Sequence, residues 1–217
     1  ILERSILWFP RMLNNYYKKD GASNEGPGYW EYTTHYAAAA LVALSRYKGW
    51  DLRDYAPPHL NRTMDYLMHL RSLARSHLAF LPLGDNNERF GYNFISISLL
   101  FFAKFYQDQN ALWLWQKFFS QKPNPPGSLF FGKRTAGACS SAGLLNLLFY
   151  CEGQAAEPVL PLAQRFEDCD RVTLRTGCKY GNMLFFFEGG PQTFDHCHFD
   201  KGQFIMEAYG ERFAADP

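Results

Sequence analysis

No stretch of this chain stays apolar for long. The longest clean run, Ala37 to Leu44, falls far short of the ~18 residues that a membrane-spanning helix needs. An excess of charge of one sign is missing as well. Lys and Arg number 22 and Asp and Glu 21, for a net charge of +1, so no broad field selects nucleic acid or an anionic membrane. Cysteines are few, five in all, with no CxxC pair, and free buried thiols are the expectation. Cys197 sits between two histidines and could ligate a metal, but on a strand it would point away from both. The start, Ile1-Leu2-Glu3-Arg4, lacks the basic-then-apolar layout of a signal peptide and reads as the middle of a helix. It is silent about destination.

What the chain has is apolar and aromatic surface. Of its 217 residues 47% are hydrophobic and 18% aromatic, including 20 Phe, 13 Tyr and 5 Trp. That supply excludes wholesale disorder and suffices for one large domain, or one domain and part of another. Most of these rings are expected to fill a core, although Tyr and Trp also suit stacking on sugars. Residues 1 to about 160 read as helices joined by Pro, Gly and Asn loops. Pro27 is placed as a first helical residue, and helical patterns follow over Tyr29 to Tyr47, Leu60 to Leu70, Phe94 to Tyr106, Ala111 to Phe119 and Ser140 to Tyr150. From residue 161 the texture changes. Short strand-length runs cover Arg171 to Thr176, Met183 to Glu188 and Gln203 to Ala208, and Tyr209-Gly210-Glu211 turns the chain into Arg212 to Ala215. Helices first and antiparallel strands afterwards make an α+β arrangement.

Three polar clusters could carry chemistry. In His196-x-His198-x-Asp200 the residues i, i+2 and i+4 share one face of a strand, so both imidazoles and the carboxylate point the same way. These are suitable zinc ligands, with Asp216 able to join from an adjacent strand. One histidine could instead act as acid or base, and a polar surface strand is the plainer alternative. In Asp20-Gly-Ala-Ser-Asn-Glu25-Gly26-Pro27-Gly28-Tyr29-Trp-Glu-Tyr32 an irregular Gly-rich loop feeds a helix, with Tyr29, Tyr32 and Tyr36 on one face. Its plainer reading is a turn, a first-turn carboxylate and packing tyrosines. In the loop Gly84 to Gly91, Asp85 and Arg89 could orient a polar substrate, or cap a helix and pair on the surface. His35, His59, His69 and His77 are expected in helical, structural settings, with His35 set apart by lying three residues after Tyr32.

Together, Asp20-Gly-x-x-x-Glu25-Gly26-x-x-Tyr29-x-x-Tyr32 followed by His196-x-His198-x-Asp200-x-Gly202-x-Phe204, Gly210 and Asp216 resemble the heparinase II/III-like polysaccharide lyases and the related uronyl C5-epimerases. The resemblance implies that residues 1–160 are the C-terminal part of an (α/α) toroid, and that residues 161–217 open an antiparallel β-sandwich. It implies β-elimination on a uronate-containing acidic polysaccharide, with Tyr29 as the acid/base tyrosine and Tyr32 its nearest rival. His196 would be the catalytic histidine. His198 and Asp216 would hold a structural zinc, with Asp200 in support. Glu25, Asp85 and Arg89 would contact substrate, and Lys133 and Arg134 are further basic candidates for reading the polymer. The family also draws an Asn or His from an upstream helix and a zinc histidine from a later strand. Residues 1–217 alone are therefore expected to be inactive.

The competing expectations are a uronyl C5-epimerase, which begins with the same proton abstraction, and a carbohydrate-binding relative that has lost catalysis. The resemblance implies a periplasmic or secreted enzyme. The expected partner is an acidic polysaccharide, with no nucleic acid and no membrane span; a homodimer is compatible with all of this.

Overall fold

The structure, a computed structural model, describes residues 2–23, 25–85, 95–120, 139–190 and 201–214. Among these residues seven α-helices precede five strands: α1 (Leu2–Tyr16), α2 (Pro27–Lys48), α3 (Leu52–Tyr55), α4 (Thr63–His69), α5 (Ile95–Phe105), α6 (Gln109–Trp115), α7 (Cys139–Phe149), then β1 (Ala163–Phe166), β2 (Arg171–Arg175), β3 (Leu184–Glu188), β4 (Phe204–Ala208) and β5 (Glu211–Ala214). None of the described helices is long and apolar enough to cross a membrane.

Local chemistry accounts for the helix ends. α2 begins at Pro27, whose fixed φ and missing N–H cost nothing in the first turn. It stops at Gly49, with Arg46 and Lys48 in its last turn facing the negative end of the helix dipole. Asp51 and Asp108 accept hydrogen bonds from the backbone N–H groups of Arg53 and Ala111, capping α3 and α6. α1 contains Pro10, which cannot donate to the carbonyl four residues back. That carbonyl, of Ile6, instead accepts from the Tyr55 hydroxyl. Two expected helices differ in detail. The Leu60 pattern opens as a 3-10 turn over Leu60–Arg62 before α4, and the Ala111 pattern passes from α6 into a π-helical turn over Gln116–Ser120.

α5 is the centre of the helical layer, buried from Ile95 to Ala103. Trp30 of α2 is fully buried and stacks on Phe102 at 6.3 Å between centroids, with its indole N–H donating to Thr63 Oγ1 at 2.6 Å. The aromatics of this layer are therefore mainly core, as their composition implied.

The sheet is a simple meander, β1-β2-β3-β4-β5, antiparallel at every step. β1, not expected from the sequence, pairs Ala163 with Leu174 and Phe166 with Arg171. β4 and β5 are joined through Tyr209 and Gly210, both at positive φ (54° and 83°), which a tight two-residue hairpin requires. A Cβ on Gly210 would also lie 2.5 Å from the Tyr180 hydroxyl.

The buried face of the sheet mixes charged with apolar residues. Toward the helices it presents Arg171, Thr173, Arg175, Leu184, Phe186, Glu188, Ile205 and Glu207, all buried. The other face carries Leu174, which is 45% exposed, and the stacked pair Phe185–Phe204. In β4 it is Ile205 and Glu207 that turn inward, leaving Phe204 half exposed.

Polar contacts join the layers. Glu207 accepts from Ser72 Oγ, from the backbone N–H of Leu73 at 2.7 Å and Ala74 at 3.1 Å, and from Arg212 at 2.6 Å. The His69 ring bonds to Thr173 Oγ1 at 2.8 Å, and Arg175 donates to the His69 carbonyl at 2.7 Å. Arg171 reaches the Tyr66 hydroxyl, the Ser23 carbonyl and Glu188.

Candidate functional site

The Gly-rich stretch before α2 lies between the layers and is bonded to both. Asp20 Oδ2 accepts from the backbone N–H of Asp168, and Asp168 Oδ2 accepts from the N–H of Asp20, at 3.0 and 3.4 Å. Asp20 also accepts from Ala22, closing the turn. The Ser23 carbonyl takes the Arg171 guanidinium at 3.0 Å and the Cys169 thiol at 3.3 Å. On the helical side Gly21 packs against the backbone of Arg62, and Gly26 against that of Leu83. Asp20 is thus a structural tie between the layers.

The contact at Gly26 sets the site. A Cβ there would lie 2.4 Å from the Leu83 carbonyl oxygen, an approach only glycine permits. Gly26 is the N-cap of α2, three residues before Tyr29, and Leu83 is two residues before Asp85. The same close approach therefore brings the start of α2 to the loop that carries Asp85. Gly26→Ala is expected to cost about 1–3 kcal/mol, because a backbone atom must move to admit the methyl. An unchanged urea midpoint would refute that account of the contact.

Three of the expected site residues come together here. Partial burial, then the carboxylate of Asp85, then that of Glu25, push the Tyr29 phenol above its ordinary value. Tyr29 is half-buried and Asp85 exposed. Burial, then Tyr17 and Glu25, raise the Tyr16 phenol well above its ordinary value as well.

Tyr32, one turn further along α2, is more exposed. It is 51% exposed, and its ring lies edge-on to Tyr36 at 5.1 Å and to His35 at 5.7 Å. Tyr36 is 57% exposed, so the two form an aromatic step on the surface of α2, where packing tyrosines were the plainer expectation. His35 is buried beneath them, with Nδ1 3.2 Å from the Glu31 carbonyl. Burial lowers its pKa, leaving a neutral ring at pH 7.

Of the other described histidines, His69 and His59 make structural contacts. His69 ends α4, and burial, aided by Arg175, drives its pKa down to about 3. His59 lies in a turn and bonds to the Tyr17 carbonyl at 2.8 Å, while His77 is exposed in a loop.

His196, His198, Asp200, Asp216, Arg89, Lys133 and Arg134 lie outside the described residues. Among the described residues no group of three His, Cys, Asp or Glu side chains could hold a metal ion. Sequence reasoning missed the residues that seat the loop: Asp168 and Arg171 act on it across 148 positions, and no local pattern reveals such a pairing.

No family model matches the chain, and no curated protein matches it. Solved structures do. The chain is similar to a heparan sulfate lyase HepC mutant from Pedobacter heparinus, with a TM-score of 0.60 and 13% identity over 98% of this chain. It is also similar to a heparinase III with methylated lysines, with a TM-score of 0.56 and 15% identity over 97% of this chain. It spans 28% and 27% of the lengths of those two chains. Over nearly its whole length, then, this helical layer and its antiparallel sheet have the fold of one part of a heparinase III-type lyase.

Proposed function

We propose that this chain carries part of the catalytic apparatus of a lyase that cleaves a uronate-containing acidic polysaccharide by β-elimination. The observation that carries the reading is Tyr29, half-buried and close enough to Asp85 and Glu25 to feel both carboxylates, on a fold shared with a heparan sulfate lyase.

In the elimination a base takes the C5 proton, the C4=C5 double bond forms and the C4–O bond breaks. The departing oxygen then needs a proton. A phenol suits the last step: it is protonated at neutral pH, the leaving alkoxide is the stronger base, and after donation the phenolate is quickly reprotonated. Tyr29 is assigned that donor role and His196 the C5 proton. Glu25, Asp85 and Arg89 are assigned to the sugar's hydroxyl and carboxylate groups. The exposed rings of Tyr32 and Tyr36 offer a stacking surface beside them. His198 and Asp216 are assigned to a zinc ion whose role is structural; imidazole and carboxylate are fitting ligands for it.

We also propose that the seven helices close an (α/α) toroid and that the sheet is the first layer of a β-sandwich. The half-exposed Leu174, Phe185 and Phe204 favour a covering second layer. An acidic polysaccharide substrate is consistent with a periplasmic or secreted enzyme.

The test is to incubate the complete protein with a panel of uronate polymers and follow the ultraviolet absorbance of the new double bond. Absorbance growth on at least one polymer is expected. Deuterium uptake at C5 from heavy water without that absorbance would indicate the epimerase instead, and binding with neither signal would indicate a carbohydrate-binding protein.

A further inference from the structure

Away from Tyr29, the segment just after α4 and the end of β2 place two arginines in the interior, neither in an ion pair with a described carboxylate. Arg71 is 3% exposed and Arg175 5%. Each spends one nitrogen on a carbonyl: Arg71 on that of Cys178, and Arg175 on that of His69 at 2.7 Å. Three further nitrogens, Arg71 Nε and Arg175 Nε and Nη1, are buried with no hydrogen-bond partner.

Glu207 acts on both arginines from a distance, but forms an ion pair with neither. Glu207, the buried carboxylate in this region, already has both oxygens engaged by Ser72, Leu73, Ala74 and Arg212. Glu157 acts on Arg71 from the exposed surface, and no described carboxylate forms an ion pair with either arginine. Among the described residues beside them are the Cys178 side chain, to which Arg175 hydrogen-bonds, the neutral His69 and the face of Trp113, 5.8 Å from the Arg71 guanidinium. Burial lowers the pKa of both groups, and the charge of Arg175 adds to the effect on Arg71.

Two like charges removed from water are strongly unfavourable unless something of opposite charge joins them. A water molecule can accept from the stranded N–H groups but cannot neutralise the pair. We propose that Arg71 and Arg175 together bind a small inorganic anion of about the size of chloride, which locks the helical layer to the sheet. This site is independent of the lyase reading and involves none of its residues.

The probe is chloride or bromide on the complete protein. Sodium chloride or bromide, compared with sodium gluconate at equal ionic strength, is expected to raise the unfolding midpoint saturably, by roughly 5–10 °C at about 100 times the dissociation constant. Arg175→Met should abolish the difference between the salts. Coincident midpoints in the two salts, or a difference that survives in Arg175→Met, would overturn the proposal. Crystals soaked in bromide provide an arm that needs no variant: an anomalous peak between the two guanidinium groups is expected, and a water there with no peak refutes the site.

Discussion

Tyr29→Phe is expected to slow β-elimination by the complete protein about 10²–10⁴-fold, the range that a positioned general acid supplies. The variant keeps the ring, so the fold and the unfolding midpoint should be retained while kcat falls. The environment of Tyr29 adds a prediction with a definite sign. Asp85 and Glu25 raise its pKa because a phenolate beside two carboxylates is disfavoured. As the acid, Tyr29 is active while protonated, and the rate should fall at alkaline pH as it ionises. Removing a neighbouring negative charge lowers the phenol's pKa, so Asp85→Asn and Glu25→Gln should each shift that alkaline fall to lower pH. Steady-state rates across pH decide it. A fully active Tyr29→Phe, or an alkaline limb that stays in place in both carboxylate variants, would remove Tyr29 from the role. If Tyr32→Phe took the loss in its place, the exposed neighbour would be the acid.

Glu188→Gln is expected to destabilise the protein by about 3–5 kcal/mol, because it leaves Arg171 charged and buried without its partner. The pair is 2.7 Å apart with side chains 1% and 3% exposed, and Lys201 approaches the same oxygen at 2.6 Å. Burial alone would raise the pKa of Glu188, but Arg171 and then Lys201 outweigh it and hold the carboxyl below its ordinary value. The sign follows. A carboxyl whose pKa is depressed by folding contributes stability that is fully present above its unfolded pKa of about 4.3 and is lost as pH falls through the lower folded value. Urea unfolding of the parent and Glu188→Gln should therefore differ at pH 7 and converge in acid. Arg171→Met combined with Glu188→Met should recover much of the loss, since no charge is then stranded. Equal midpoints at pH 7 would show that the pair contributes nothing. The variant bears on the site as well, because Arg171 also holds the Ser23 carbonyl in the loop that leads to Tyr29.

Much of the helical layer was legible because its signals are local. Pro27 at the first turn and the nearly unbroken apolar run of α5 each specify their element within a few residues. β2 to β5 were legible from strand-length runs and the Tyr209-Gly210 turn. β1 was not: Ala163–Phe166 is short, at the edge, and buries only Phe166. Harder to foresee was the direction each strand faces. Arg171, Arg175, Glu188 and Glu207 turn inward, and their partners come from distant segments, Tyr66, His69, Ser72 and Ser23 among them. The Tyr29 cluster was half legible. Its residue types were apparent, but its proximity to Asp85 depends on Gly26 meeting Leu83, a contact between segments with no shared pattern.

The stretch from Asp20 to Gly26 is a seam and not a flap. Asp20 and Ser23 are bonded to the sheet, while Gly21 and Gly26 are wedged against helical-layer backbone. A flap can be exchanged between proteins without touching the layers beneath it. A seam has to be recut whenever either layer changes. Grafting the sheet of a distant relative onto these helices would remove Asp168 and Arg171 along with it, and the start of α2 would lose the stitches that aim Tyr29.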